Sequence, residues 1–192
     1  GQKLWDKLTG GDQTDEFFDV IATADGGFLA VGRSFSTASG DITDNNNGYQ
    51  TLDGYIVKFD EDGNIEWDNL FGSPEHEAFN CVIQTNDGGY IAAGYASSMN
   101  RTNTGGEITD VGPGGLMPHD GLLVKFDADG NMVWNNLYGS RNHDDFYGIL
   151  GTSDGGCVVV GRTLAMDKDL ATGSSAGIPY QNNALIAEFD TD

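Results

Sequence analysis

Acidic side chains crowd two stretches of this chain that show neither strand nor helix patterning. The first, Gly40 to Asp53, carries Asp41, Asp44, Asn45, Asn46 and Asp53, and the second carries Glu107, Asp110 and Asp120. Calcium takes about six to eight hard oxygen ligands, and a loop dense in Asp, Asn and Gly can wrap carboxylates and carbonyls around it. Asp41, Asp44, Asn46, Asp53, Glu107, Asp110 and Asp120 are therefore the metal candidates, weighed against a plain solvated loop. Tyr49 and Tyr180 sit in the loops without counterparts elsewhere in the chain, which makes them the candidates for ligand contact.

Other constellations read as architecture. The run Asp60-x-Asp62-Gly63-Asn64, repeated at Asp127-x-Asp129-Gly130-Asn131, resembles the start of a calcium loop but lacks the later glutamate of an EF-hand. Asp and Asn in tight turns bond their own backbone, which accounts for the pattern without metal. Gly173-Ser174-Ser175-Ala176-Gly177 fits a nucleophile elbow on paper, yet lies in a Gly/Ser-rich loop with no strand before it and no helix after it. His76, His119 and His143 have no zinc-ligand spacing and read as loop-satisfying residues. Asp15, Glu77 and Asp144 recur shortly before Phe17, Phe79 and Phe146, as a capping acid would. Cys157 stands where the other repeats have Phe28 and Tyr90, so it is expected to fill core space rather than to bond Cys81.

The elements that position these residues are written three times. Thr23 to Gly32 followed by Asp53 to Trp67 returns as Thr85 to Gly94 with Asp120 to Trp134, and as Thr152 to Gly161 with Asn183 to Asp192. Trp5 to Trp67 is 62 positions and Trp67 to Trp134 is 67, a period of about 65 residues. A period this long with several strand signals per unit marks a repeat architecture. Each unit predicts four short strands: Phe17–Thr23, Phe28–Ser34, Tyr55–Phe59 and Ile65–Phe71 in the first, with tight turns between. Glycine is too frequent for long helices. The expectation is an all-β, β-propeller-type array of three four-stranded blades, with units at about 10–72, 73–139 and 140–192 plus 1–9. Read tail to head, Asp190-Thr-Asp-Gly-Gln-Lys-Leu-Trp repeats the turn and strand at Asp60 to Trp67. The N-terminal strand is thus expected to complete the last blade, since such an offset removes exposed edges. Three blades are few for a closed ring. The chain is accordingly expected to belong to a larger ring, to pair with a copy of itself, or to pass its strand along an open filament.

Thirty acidic against nine basic residues leave a net charge of −21, which argues against nucleic acid and anionic membranes as partners. Hydrophobic residues make up 38% of the chain, enough for a packed core. No apolar stretch has the length of a transmembrane helix.

The Thr-x-Asp-Gly-Gly-aromatic turn, Gly-Asp-Ile-Thr at 40–43, Gly-Glu-Ile-Thr at 106–109 and Val-Lys-Phe-Asp-x-Asp-Gly-Asn-x-x-Trp resemble repeats of bacterial secreted or cell-surface β-propeller proteins. The latter half is similar to the blade signature of quinoprotein-type propellers. The turns at Asp25, Asp87 and Asp154 look like the aspartate box of sialidase propellers without its trailing Trp. Arg33 and Arg162 occupy equivalent repeat positions and read as blade features. The resemblance implies a non-enzymatic extracellular module, structural or adhesive, with no cofactor beyond calcium. Its alternative is a carbohydrate-binding or glycoside-hydrolase-type propeller. The third unit departs from the pattern, with Asn183 for the loop-closing aspartate and Glu188 for the strand lysine.

Overall fold

Short alternating runs separated by glycine turns fold as antiparallel meanders. The computed structural model describes residues 1–44, 51–97, 119–139, 143–164 and 182–190. The first sheet consists of β1 (Asp15–Ala22), β2 (Phe28–Ser34), β3 (Asp53–Phe59) and β4 (Ile65–Phe71), paired in that order. The second holds β5 (Glu77–Gln84), β6 (Tyr90–Ser97), β7 (His119–Phe126) and β8 (Met132–Tyr138), again in order. The third has β9 (Asp144–Gly151), β10 (Cys157–Thr163) and β11 (Asn183–Phe189). No helix occurs among the described residues. The chain is all-β, with the expected four-stranded unit in the first two repeats.

The turns do what their composition demands. In the β1–β2 turn Thr23 and Gly27 bond backbone to backbone at 3.0 Å while Gly26 takes φ +93°, a region open to glycine. The Thr23 hydroxyl (2.5 Å) and the Gly27 amide (3.0 Å) both donate to the Asp25 carboxylate. In the β3–β4 turn Asp60 accepts from the amides of Asp62 at 3.0 Å and Asn64 at 2.7 Å, and Asp127 does the same in the second sheet. These carboxylates cap their own backbone. The nearly buried Lys58 ties the two turn-bearing ends together, bridging Asp25 at 2.9 Å and Glu66 at 2.8 Å. Lys125 reaches Asp87 at 2.8 Å in the same place. Glu188 holds that position on β11 and cannot tether Asp154.

The sheets stack in series. Leu29, Val31, Ile56 and Phe71 on one face of the first sheet pack with Phe79, Tyr90, Ala92, Leu122, Val124 and Phe126 of the second. The opposite face of the second sheet, with Ile91, Ala93 and Leu123, covers Phe146, Val159 and Leu185 of the third. Cys157 lies in this second core and both thiols are free and buried, so it fills space as expected of a small apolar group.

The N-terminal segment departs from the expectation. Residues 1–14 contain no strand and do not extend the third sheet, which keeps three strands. Trp5 packs instead on Phe28 of the first sheet at 6.2 Å and 57° between ring planes. Trp67 packs on Tyr90 of the second sheet at 6.1 Å and 57°. The aromatic socket on the first sheet holds the segment by the same contact that joins successive sheets. Among the described residues the three sheets form a run, with no strand pairing between its ends.

A bulge interrupts the first strand of each sheet at Phe18, Asn80 and Tyr147, between the paired residues on either side. Opposite it stands a glycine that nothing larger can replace. A Cβ on Gly94 would lie 1.9 Å from the Ala78 carbonyl oxygen, and one on Gly32 1.8 Å from that of Glu16. Gly26, by contrast, has open space around its Cβ direction. Gly94→Ala is expected to cost about 3 kcal/mol or more through backbone displacement in a packed sheet. Gly26→Ala should cost only about 1–2 kcal/mol, the penalty of positive φ. Urea midpoints of the two variants measure the difference, and equal losses would contradict the close approach.

Candidate functional site

The three long connections leave from the same side of the stacked sheets, after β2, β6 and β10. At their base a belt of polar and aromatic side chains crosses from the first sheet to the third. It starts where the residue following each strand glycine varies: Gly32-Arg33, Gly94-Tyr95 and Gly161-Arg162. Arg33 donates to Glu16 at 2.7 Å, lies 5.3 Å from the Phe18 ring centre and sits beside the Tyr95 side chain. Tyr95 stacks on His119 at 4.3 Å with planes 9° apart. His119 Nδ1 meets Asp145 at 2.9 Å, and Arg162 Nε donates to the other Asp145 oxygen at 2.5 Å. Arg162 lies 5.9 Å from the Tyr147 ring, whose hydroxyl donates to Asp145 at 3.3 Å.

The electrostatics of the belt are self-neutralising. Burial pushes the Asp145 carboxyl up, but the hydrogen bonds from His119 and Arg162 outweigh it and hold the group below the usual carboxylate range. Burial likewise lowers Arg33, and the Glu16 and Tyr95 contacts more than offset that, so it stays charged. Each cation thus has its acid. Beside these partly exposed pairs two rings are presented to solvent: Phe18 is 45% exposed and Tyr147 52%. Flat rings flanked by guanidinium and carboxylate groups suit a polar ligand with an apolar face.

The described acids of the metal set fall in different places. Asp41 is exposed in the turn at Ile42, and Asp44 accepts the Leu70 amide at 3.0 Å. Asp53 is buried, with the Thr51 hydroxyl donating to it at 3.2 Å. Asp120 is buried beside Gly139, against which Asp144 also packs. Among the described residues no group of three or more His, Cys, Asp or Glu is gathered for a metal. Asn46, Tyr49, Glu107, Asp110 and Tyr180 lie outside the described residues, as does Ser175.

The capping acids and histidines do hold loops. Glu77 accepts the Ser73 amide at 2.9 Å and the Ser73 hydroxyl at 2.6 Å, and Asp15 accepts the Gly11 amide at 2.8 Å. His76 Nδ1 accepts the Leu52 amide at 3.1 Å, and His143 Nδ1 the His119 amide at 3.2 Å. Sequence reasoning treated Arg33 and Arg162 as blade features and passed over Phe18, Tyr95, Asp145 and Tyr147. The available signal was variation at two positions, the bulge and the residue after the strand glycine, within an otherwise regular repeat.

No family model matches the chain, and no curated protein matches it either.

Glu77 supplies a measurable pH dependence. Desolvation is the dominant influence on this fully buried carboxyl and pushes it up to about 8, against the Ser73 hydrogen bonds. A carboxyl whose folded value lies above its unfolded one stabilises the fold below the unfolded value, and that contribution is lost as pH rises through the folded value. Stability is therefore expected to fall between about pH 4.5 and pH 8, and Glu77→Gln should flatten that slope. Urea midpoints across the range test it; an unchanged slope in the variant would assign the dependence to another group.

Proposed function

We propose that this chain is a non-catalytic β-propeller-type module, working outside the cell or on its surface as a structural or adhesive scaffold. The observation that carries the reading is one belt running along the same side of the stacked sheets from which the three long connections leave. Rigid sheets bearing variable loops on one rim are how repeat architectures present a binding surface. The acidic and basic groups of the belt are committed to one another, which suits recognition better than proton transfer. Its partners are a copy of itself, a larger propeller chain or a surface ligand, with calcium held by the acidic loops. The net charge of −21 favours cation uptake, as mutual repulsion of the acids falls when calcium binds.

A carbohydrate-binding reading is supported by one observation, the half-exposed Phe18 and Tyr147 beside the Glu16–Arg33 and Asp145–Arg162 pairs. Titration calorimetry against a panel of neutral and acidic oligosaccharides, with Tyr147→Ala as the comparison, tests the belt. A sugar that binds is expected to weaken roughly tenfold in the variant, the loss typical of a stacking anchor. Equal binding by both proteins would move the ligand site away from the belt.

Calcium is tested by thermal unfolding. Millimolar calcium should raise Tm by a few degrees and EDTA should reverse it, because a ligand of the folded state stabilises by mass action. An equal rise in sodium chloride of matched ionic strength would reduce the effect to screening.

A further inference from the structure

The two ends of the run carry apolar surface at the positions that its middle buries. On the second sheet Ala93 and Leu123 are fully buried under the third sheet. Their equivalents on the third sheet are Val160, 47% exposed, and Ile186, 73% exposed, and the neighbouring Leu150 is 69% exposed. At the other end Phe17 and Val20 are exposed, whereas Phe79 and Val82, their counterparts on the second sheet, are buried. Leu4 and Leu8 of the N-terminal segment are exposed too. Apolar positions kept at both ends and left uncovered, on β1 of the first sheet and across the outer face of the third, mark an interaction surface.

The N-terminal segment shows what fits there. It already stands on the first sheet as β4 stands on the second. Trp5 meets Phe28 as Trp67 meets Tyr90, at 6.2 and 6.1 Å. Lys7 Nζ donates to the Gly63 carbonyl at 3.1 Å, and Asn69, its repeat equivalent, donates to the Gly130 carbonyl at 3.1 Å. The segment therefore occupies the place of the outer strand of a preceding sheet, and no such sheet lies among the described residues. The third sheet has the complementary shape: three strands, and no partner on the outer edge of β11 among the described residues.

We infer that a second copy of this chain docks head to tail, its segment 2–8 adding to β11 as a fourth strand and its first sheet covering the apolar face of the third. The register follows from the repeat. Ile56 pairs with Asn69 and Leu123 with Asn136, so Ile186 faces Lys7 of the incoming copy. Lys58 and Lys125 pair with Trp67 and Trp134, so Glu188 faces Trp5. The strand amides and carbonyls of β11 supply affinity and the apolar contacts fix the register. With a charge of −21 on each copy, association strengthens with salt. The inference rests on the reading of the sheets as successive blades.

The test mixes two single variants of the full chain, Lys7→Cys and Ile186→Cys, under mild oxidation. Both sites are exposed, so folding is not at stake, and the native thiols are buried. A mixed disulfide dimer is expected, at least several-fold in excess over the dimers each variant forms alone. Gln2→Cys in place of Lys7→Cys, five residues out of register, should lose most of the cross-link. In light scattering, Ile186→Asp should weaken dimerisation by on the order of tenfold or more, by placing a charge in an apolar contact. A protein that is monomeric at every concentration and salt overturns the inference. So does a dimer that forms without the cross-link, or a Lys7→Cys/Ile186→Cys double variant that closes on itself. A monomer that still binds ligand at the belt leaves the proposed function standing and removes this interface alone.

Discussion

A β-sheet with two apolar faces cannot bury both by itself, and every other feature of this protein follows from how that demand is met. Each sheet gives one face to the sheet before it and one to the sheet after it. The middle sheet shows the rule satisfied: Tyr90, Ala92 and Leu122 lie against the first sheet, while Ile91, Ala93 and Leu123 lie against the third. Alternation along a strand sends neighbouring residues to opposite faces, so six apolar positions on two strands serve two interfaces. Stability in such a run is a sum over neighbours. The end sheets have one neighbour each, and the first makes do with the N-terminal segment and the Ile42 loop over Tyr55, Val57 and Leu70.

The belt is a by-product of the same geometry put to use. A bulge on the first strand of each sheet brings a carbonyl two residues before it hard against the strand-two glycine, and the bend re-aims the bulged residue. The position after the glycine then points to the rim, next to the position before the phenylalanine. Where these are Arg33 and Glu16, or Arg162 and Asp145, an ion pair forms across the strands. In the second repeat they are Tyr95 and Ala78, and the pair is replaced by a ring that reaches Arg33 on one side and His119 on the other. The scaffold stays fixed while the side chains at a few sites vary.

How much of this was legible depended on how far each signal reached along the chain. The four-strand unit, the glycine turns and the carboxylate caps are local, so Asp25, Asp60 and Glu77 could be read from neighbours a few residues away. Cys157 in the core could be read because the repeat supplied two aromatic equivalents. The belt could not, because Arg33, Tyr95 and Asp145 are separated by some fifty residues or more and meet only once the sheets stack. The N-terminal segment was read as a fourth strand from its sequence, and its side chains do sit as a fourth strand's do. What local pattern could not show was which sheet would hold it. Trp5 finds its socket on the sheet that follows it in the chain, with Lys7 on the Gly63 carbonyl.

Glu188 bears on that point. In the first two sheets the lysine at this position bridges the aspartate turn and, in the first, the outer strand as well. With glutamate there, the third sheet gains no such cation from this position, and among the described residues its turn acid Asp154 is held by Thr152 and Gly156. A self-sufficient third sheet would keep the lysine. An edge that pairs with a segment carrying Lys3 and Lys7 beside its Trp has cations supplied from the incoming side, which suits an acid better than a second base. The change from lysine to glutamate thus falls on the strand whose outer edge has no partner among the described residues, where like charges would oppose the joint and opposite ones favour it.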